Sequence, residues 1–287
     1  MQLKKIYCIS VMICSFFVSV QCSFVKDFND QGYVELADVY NNDLTFSNLY
    51  EYFDDFILFL QANPAWVQKL YSAKEKFIRL KIRNYYATDS FGFYDESEDK
   101  QRNQISFYYA TDFHLFVCSL YPEINDIPEL ISFFEACFHI QNPYGKLFNQ
   151  VAENLDIHDL FLKDQNPPVL FKVVKYLPSY TPIKPHYDGT VLTLLLHSTN
   201  PQALLLSTYK NALSVDDFYL PHRKIEASDT IRSMLLIPGT LLFQYGINPT
   251  PHVVVSSPQA RYAAIAFAMR PYGSSSVDTF TSLPDFR

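Results

Sequence analysis

The chain has 287 residues, 48% hydrophobic and 16% aromatic, which is enough apolar material for a large core in one β-rich domain or two small ones. Its net charge is −7 and its Lys and Arg are scattered, so it lacks the basic footprint that recruits nucleic acid. With only 7 glycines it has no glycine-rich phosphate loop, and nucleotide-driven chemistry loses its usual signature.

At the start, Lys4 and Lys5 precede an apolar run from Ile6 to Val20, and Val20-Gln21-Cys22-Ser23 offers small residues for cleavage. This pattern predicts a signal peptide over residues 1–22 and export to a periplasmic or extracellular space. A membrane anchor is the alternative, because the run approaches about 20 residues if extended to Val25, and a cytoplasmic chain is the other. Cleavage after Cys22 would remove Cys8, Cys14 and Cys22. Cys118 and Cys137 then remain, both in apolar stretches of helical texture, and are expected to be buried thiols, with one disulfide between them as the alternative.

From Asp43 to Phe77 apolar residues recur at helical spacing (Leu49, Phe53, Phe56, Phe59, Leu60), broken at Pro64, which lacks an amide donor and restarts the helix. A polar segment follows at about 87–103. A second helical stretch is expected from Pro128 to Leu155, with Leu130, Phe134, Phe138, Phe148 and Val151 on its core face. After Asn166-Pro167-Pro168 the texture changes to short β-branched runs: Val169 to Tyr176, Thr190 to His197, Met234 to Gln244, His252 to Ser256 and Tyr262 to Met269. Turn residues such as Pro238-Gly239 and Asn248-Pro249 separate them, the pattern of an antiparallel sandwich or barrel. The expectation is one unit, a helical region over 23–165 packed on a β-core over 166–287.

His186-Tyr187-Asp188 carries the first chemical signal. In extended chain residues i and i+2 share a face, so an imidazole and a carboxylate point the same way. His252 opens the apolar run Val253-Val254-Val255 and supplies a third ligand type. Two His and one carboxylate on one face of an ion leave sites open, as in non-haem Fe(II) oxygenases. Arg261 follows nine residues after His252, and the two strands are expected to form a hairpin around Ser256 to Ala260. On period 2, Arg261 shares a face with Ala263, Ile265, Phe267 and Met269, and a guanidinium there calls for an anion. Of the other histidines, His114, His139, His158 and His197 read as structural. His222, in a polar turn, is the rival ligand.

With these residues in hand, the sequence resembles the isopenicillin N synthase-like Fe(II)/2-oxoglutarate-dependent dioxygenases over most of its length. His186, Asp188, His252 and Arg261 follow the family's H-x-D…H…R order, and Gly189-Thr190-Val191-Leu192-Thr193-Leu194-Leu195 is similar to its G-x-L-T-L-L stretch. Lys175-Tyr176-Leu177-Pro178 looks like its Tyr-Pro segment, Gly32-Tyr33-Val34 like its first strand, and Leu120-Tyr121-Pro122 like its W-P landmark. The resemblance implies a mainly β fold with a helical N-terminal half and a double-stranded β-helix, or jelly roll, as its core. It implies an iron site of His186, Asp188 and His252, and cosubstrate contacts from Arg261 and Tyr176. It further implies that Fe(II), 2-oxoglutarate and O2 oxidise a small-molecule substrate by hydroxylation, desaturation or cyclisation, releasing succinate and CO2. A monomer without membrane insertion after signal cleavage is expected.

The chain departs from the family at Ala263, where R-x-S would place a serine hydroxyl beside the arginine; at Val253, where an Arg usually follows the distal His; and at Gln202-Ala203, in place of a Gly-Gly turn. Two other classes compete with the oxygenase reading. One is a degenerate scaffold acting as a secreted binding or effector protein. The other is a zinc hydrolase built on the same three ligands.

Overall fold

The computed structural model describes residues 17–37, 43–80, 85–86, 91–99, 102–162, 165–179, 185–200, 204–207 and 233–271. Helix α1 (Phe17–Gln31) leads through Gly32 to strand β1 (Val34–Ala37), and helices α2 (Asp43–Ala62) and α3 (Pro64–Arg79) follow, parted at Pro64 as expected. Strands β2 (Tyr85–Tyr86), β3 (Gly92–Glu96) and β4 (Gln104–Tyr109) precede helix α4 (Thr111–Leu120). The expected single helix over 128–155 is two, α5 (Pro128–Gln141) and α6 (Tyr144–Leu155). Pro143 accounts for the break, since it has no amide hydrogen to donate to the preceding turn and its ring fills the space of that hydrogen bond.

The second half supplies β5 (Val169–Tyr176), β6 (Leu192–Ser198), β7 (Leu204–Leu206), β8 (Ser233–Pro238), β9 (His252–Val254), β10 (Arg261–Ala268) and β11 (Arg270–Pro271). The run expected as one strand from Met234 to Gln244 ends at Pro238; Thr240–Tyr245 is a short 3-10 helix, because Pro238-Gly239 interrupts the pairing. Seven strands form one antiparallel sheet in the order β1-β8-β6-β10-β5-β4-β3, and β7 pairs with β9 in a second, short sheet. The architecture is a double-stranded β-helix with the helices gathered in the N-terminal half.

One expectation is extended by this topology and one is corrected. The polar segment contains β3, which pairs with β4 from Gly92↔Tyr108 to Glu96↔Gln104; Phe93 and Phe107 bury themselves there although polar residues surround them. And β9 does not form a hairpin with β10. It pairs with β7, whereas β10 lies between β5 and β6 in the large sheet, so the chain turns a corner from one sheet to the other.

The large sheet has two unlike faces. Its outer face meets α2 and α5 through an aromatic cluster: Phe56 lies 4.6 Å from Phe133 and 5.4 Å from Phe107, ring centre to ring centre. Burying each such ring stabilises the fold by roughly 1.5–3 kcal/mol. Asp54 of α2 pins this layer, accepting hydrogen bonds from Lys175 at 2.8 Å and the Tyr262 hydroxyl at 2.6 Å. The inner face meets no helix among the described residues. With β7 and β9 it encloses a cavity of about 410 Å³, within the roughly 300–1,000 Å³ usual for ligand sites.

Cys118 and Cys137 are free thiols, Cys137 fully buried and Cys118 partly so. No helix among the described residues is long and apolar enough to cross a membrane.

Candidate metal centre

His186 and His252 are brought together by backbone pairing. An isolated antiparallel bridge joins them, each amide donating to the other's carbonyl at 3.0 Å, and the two imidazole centres stand 4.3 Å apart. Asp188 completes the group, its Oδ2 3.7 Å from His252 Nε2. One ligand atom from each of the three can be chosen so that all lie within 4.8 Å of one another, a spacing from which small side-chain rotations reach one ion at about 2.0–2.2 Å. Among the described residues this is the one cluster of that kind. His222, the rival, lies outside the described residues.

The surroundings suit a cation. The Nδ1 of His252 faces the Thr250 carbonyl at 3.2 Å, where Nδ1–H donates and Nε2 is left toward Asp188, the tautomer a metal-ligating imidazole needs. The Thr193 hydroxyl donates to Asp188 Oδ2 at 2.6 Å. Burial pushes the Asp188 carboxyl up, but His252, His186, Thr193 and Lys172 outweigh it and hold the group below the usual carboxylate range. The backbone around Asp188 is clamped by the Pro238-Gly239 turn: the amides of Gly239, Thr240 and Leu241 donate to the carbonyls of Val191, Asp188 and Thr190 at 3.0, 2.9 and 3.3 Å. A Cβ on Gly239 would collide with the Thr190 carbonyl, standing 2.6 Å from its carbon, so only glycine permits this approach.

Arg261 and Tyr176 face each other in register on β10 and β5 and line the same cavity as the three ligands. Arg261 is 5% exposed, its guanidinium carbon 5.1 Å from the centre of the Tyr176 ring. Its Nη2 donates to the Val255 carbonyl at the corner between sheets, while Nε and Nη1 have no partner among the described residues. Two buried donors left open on a cation are a cradle for an anion. Tyr176 has its phenol pushed up by burial, against the pull of Lys172 and Arg261.

Four further residues on this wall are absent from the sequence-based site: Gln104, Lys172, Thr193 and Ser198. Lys172 sits four residues before Tyr176 and so on the same face of β5, a period-2 signal that is there to be read. Ser198 cannot be found that way. Leu196 is an extra residue in β6, where the register with β10 shifts between Ala264↔His197 and Ile265↔Leu195. This bulge turns His197 outward against Phe46 and Tyr50 of α2 and turns Ser198 inward, opposite Ala263.

No family model matches the sequence, and no curated protein matches it. By structure the chain is similar to the dioxygenase for auxin oxidation 1 of Arabidopsis thaliana in its 2-oxoglutarate binary complex, with 13% identity, 93% of each chain covered and a TM-score of 0.58. It is also similar to JOX2 in complex with 2OG, Fe and JA (14% identity, 97% of this chain and 78% of the other, TM-score 0.55). A full-length Neurospora crassa protein in complex with alpha-KG and thymine is a third (14% identity, 88% of this chain and 80% of the other, TM-score 0.52). These likenesses establish the fold expected from the sequence.

Proposed function

We propose that this chain is an Fe(II)- and 2-oxoglutarate-dependent oxygenase acting on a small molecule. One observation carries the reading: the His186, Asp188 and His252 group and the open donors of buried Arg261 line one cavity. The structural neighbours described with bound 2-oxoglutarate or alpha-KG support it by analogy of fold. The two imidazoles and the carboxylate would hold Fe(II), which with 2-oxoglutarate and O2 supplies oxidising power for hydroxylation, desaturation or ring closure.

The chain's own residues set the geometry. Thr193 and Thr250 orient Asp188 and His252, and the Gly239 turn holds the Asp188 backbone. Arg261, with Tyr176 beside it, would bind the distal carboxylate of the cosubstrate through Nε and Nη1. The apolar wall of Leu195, Ile237, Ile265 and Phe267 keeps water from the reacting end. A hydrolase would need a general base besides the metal ligands, and Asp188 is the only carboxylate among the described residues lining the cavity. A degenerate scaffold would have no use for a buried guanidinium with open donors.

Anaerobic addition of 2-oxoglutarate to the Fe(II)-loaded chain is expected to produce a metal-to-ligand charge-transfer band. Arg261→Ala should weaken the cosubstrate by about 2–5 kcal/mol, as for truncating one partner of a buried charged pair, with iron binding unchanged. No band at millimolar 2-oxoglutarate, or equal affinity in Arg261→Ala, defeats the assignment.

A further inference from the structure

Lys172 helps to keep Asp188 ionised but is given no ligand in the reading above. It points from the middle of β5 into the cavity, two same-face rungs inward from the Arg261 and Tyr176 pair, past Val174 and Ala263. Its strand neighbours on that rung are Tyr108 on one side and Ile265 on the other, with Leu195 beyond. Its ammonium nitrogen lies 5.0 Å from the centre of the Tyr108 ring. The carboxylate that acts on it is Asp188, already turned to two imidazoles and the Thr193 hydroxyl.

Charge counting makes this lysine a surplus. A divalent ion, Asp188 and Arg261 together leave two positive charges, which one dicarboxylate cosubstrate cancels. Arg102, at the rim, is already paired with Glu96. Lys172 adds another cation, in a cavity whose lining offers no second carboxylate among the described residues. Burial disfavours the charged amine, while Tyr108, Tyr176 and Asp188 hold it protonated against that cost, so the cavity presents a standing cation to which a second anion is complementary. Lys172 and Tyr176 are four residues apart, about 13 Å along an extended strand, so Lys172 and Arg261 rise from different points of the cavity wall. The wall around Lys172 is apolar: Leu195, Ile237, Ile265 and Phe267.

We infer that Lys172 anchors the carboxylate of the primary substrate, which is an apolar monocarboxylic acid lying against this wall. The inference rests on the oxygenase reading and adds the class of substrate to it. The amine donates hydrogen bonds to the acid, and the apolar body is held between the large sheet and Leu204 and Val254 of the small one.

The test uses the full chain loaded anaerobically with Fe(II) and 2-oxoglutarate, and matched pairs of acid and primary amide: straight-chain acids of four to twelve carbons, phenylacetate and indole-carboxylates. Each is titrated while the charge-transfer band is watched for perturbation; succinate release is then measured in air. Acids are expected to perturb the band and stimulate succinate at least about tenfold better than their amides. Lys172→Met should erase that preference, and Lys172→Arg should keep most of it. The affinity for 2-oxoglutarate itself should stay within about twofold in both variants. If no acid outperforms its amide, or Lys172→Met retains the preference, or it loses 2-oxoglutarate instead, the inference is overturned with the oxygenase reading intact. Absence of the band in the wild-type chain removes both.

Discussion

His252 shows how much of the site depends on single atoms. It is 7% exposed, its backbone is bonded to His186 and its Nδ1 faces the Thr250 carbonyl, so its ring has one orientation to offer. His186 is held by the same bridge and is less enclosed. Replacing either by alanine removes one of three ligands, and iron affinity measured by anaerobic titration should fall by more than the roughly 10–100-fold typical of losing a supporting hydrogen bond. Unchanged affinity in both variants would mean the metal sits elsewhere. Arg261 is a different case. Burial lowers its pKa, with Tyr176 acting against the shift, yet a guanidinium titrates too high for this to discharge it. The charge therefore persists, and its open Nε and Nη1 create a demand that solvent does not meet.

At the level of elements, two local irregularities shape the site. The bulge in β6 sets Ser198 opposite Ala263, where the isopenicillin N synthase-like family carries a serine one strand over. The missing hydroxyl is expected to be replaced by this neighbour. Ser198→Ala should then weaken 2-oxoglutarate by about 1.5–3 kcal/mol, one charged hydrogen bond, and Ala263→Ser in that background should restore it. Equal affinity in Ser198→Ala and wild type would leave Arg261 as the sole clamp on that carboxylate. The second irregularity is the Pro238-Gly239 turn. Gly239→Ala drives a methyl group into the Thr190 carbonyl, and something must move. Stability should drop by about 1–3 kcal/mol, as for overpacking, and iron binding should weaken with it, because the Thr240 amide holds the Asp188 carbonyl. A variant with wild-type melting temperature and iron affinity would show that the turn has freedom the close contact denies.

Across the whole molecule, the N-terminal segment reaches the metal centre through one relay. Gly32, at φ +79, follows α1; its carbonyl accepts the Thr250 hydroxyl at 2.5 Å, and Thr250 in turn orients His252. Phe24 and Phe28 of α1, each 1% exposed, join the main core. The expected cleavage after Cys22 falls within α1, removing its residues 17–22 and leaving Phe24, Phe28 and Gly32 in the mature chain. Residues 1–30 fused to a reporter active only outside the cytoplasm should give signal, and a chain beginning at Ser23 should melt within a few degrees of the full chain. A silent fusion with uncleaved protein in the cytosol would end the export proposal.

Periodicity and residue chemistry by themselves determined a good deal. The helix break at Pro64, the strand from Val169 to Tyr176 and the shared face of His186 and Asp188 all follow from interactions within a few residues, which sequence displays directly. Period 2 also put Arg261 on an apolar strand face in want of an anion; the resemblance added its cosubstrate role, Tyr176 and the jelly-roll core. What only the tertiary structure decided lies in pairings between distant strands. That β9 joins β7 rather than β10, that a bulge exchanges His197 for Ser198, and that Gly239 presses on Thr190 all depend on register across the sheets, which local propensity does not encode. Lys172 belongs to both accounts: its face was readable from the period of β5, but its surplus charge became visible only when the cavity brought it together with Asp188 and Arg261.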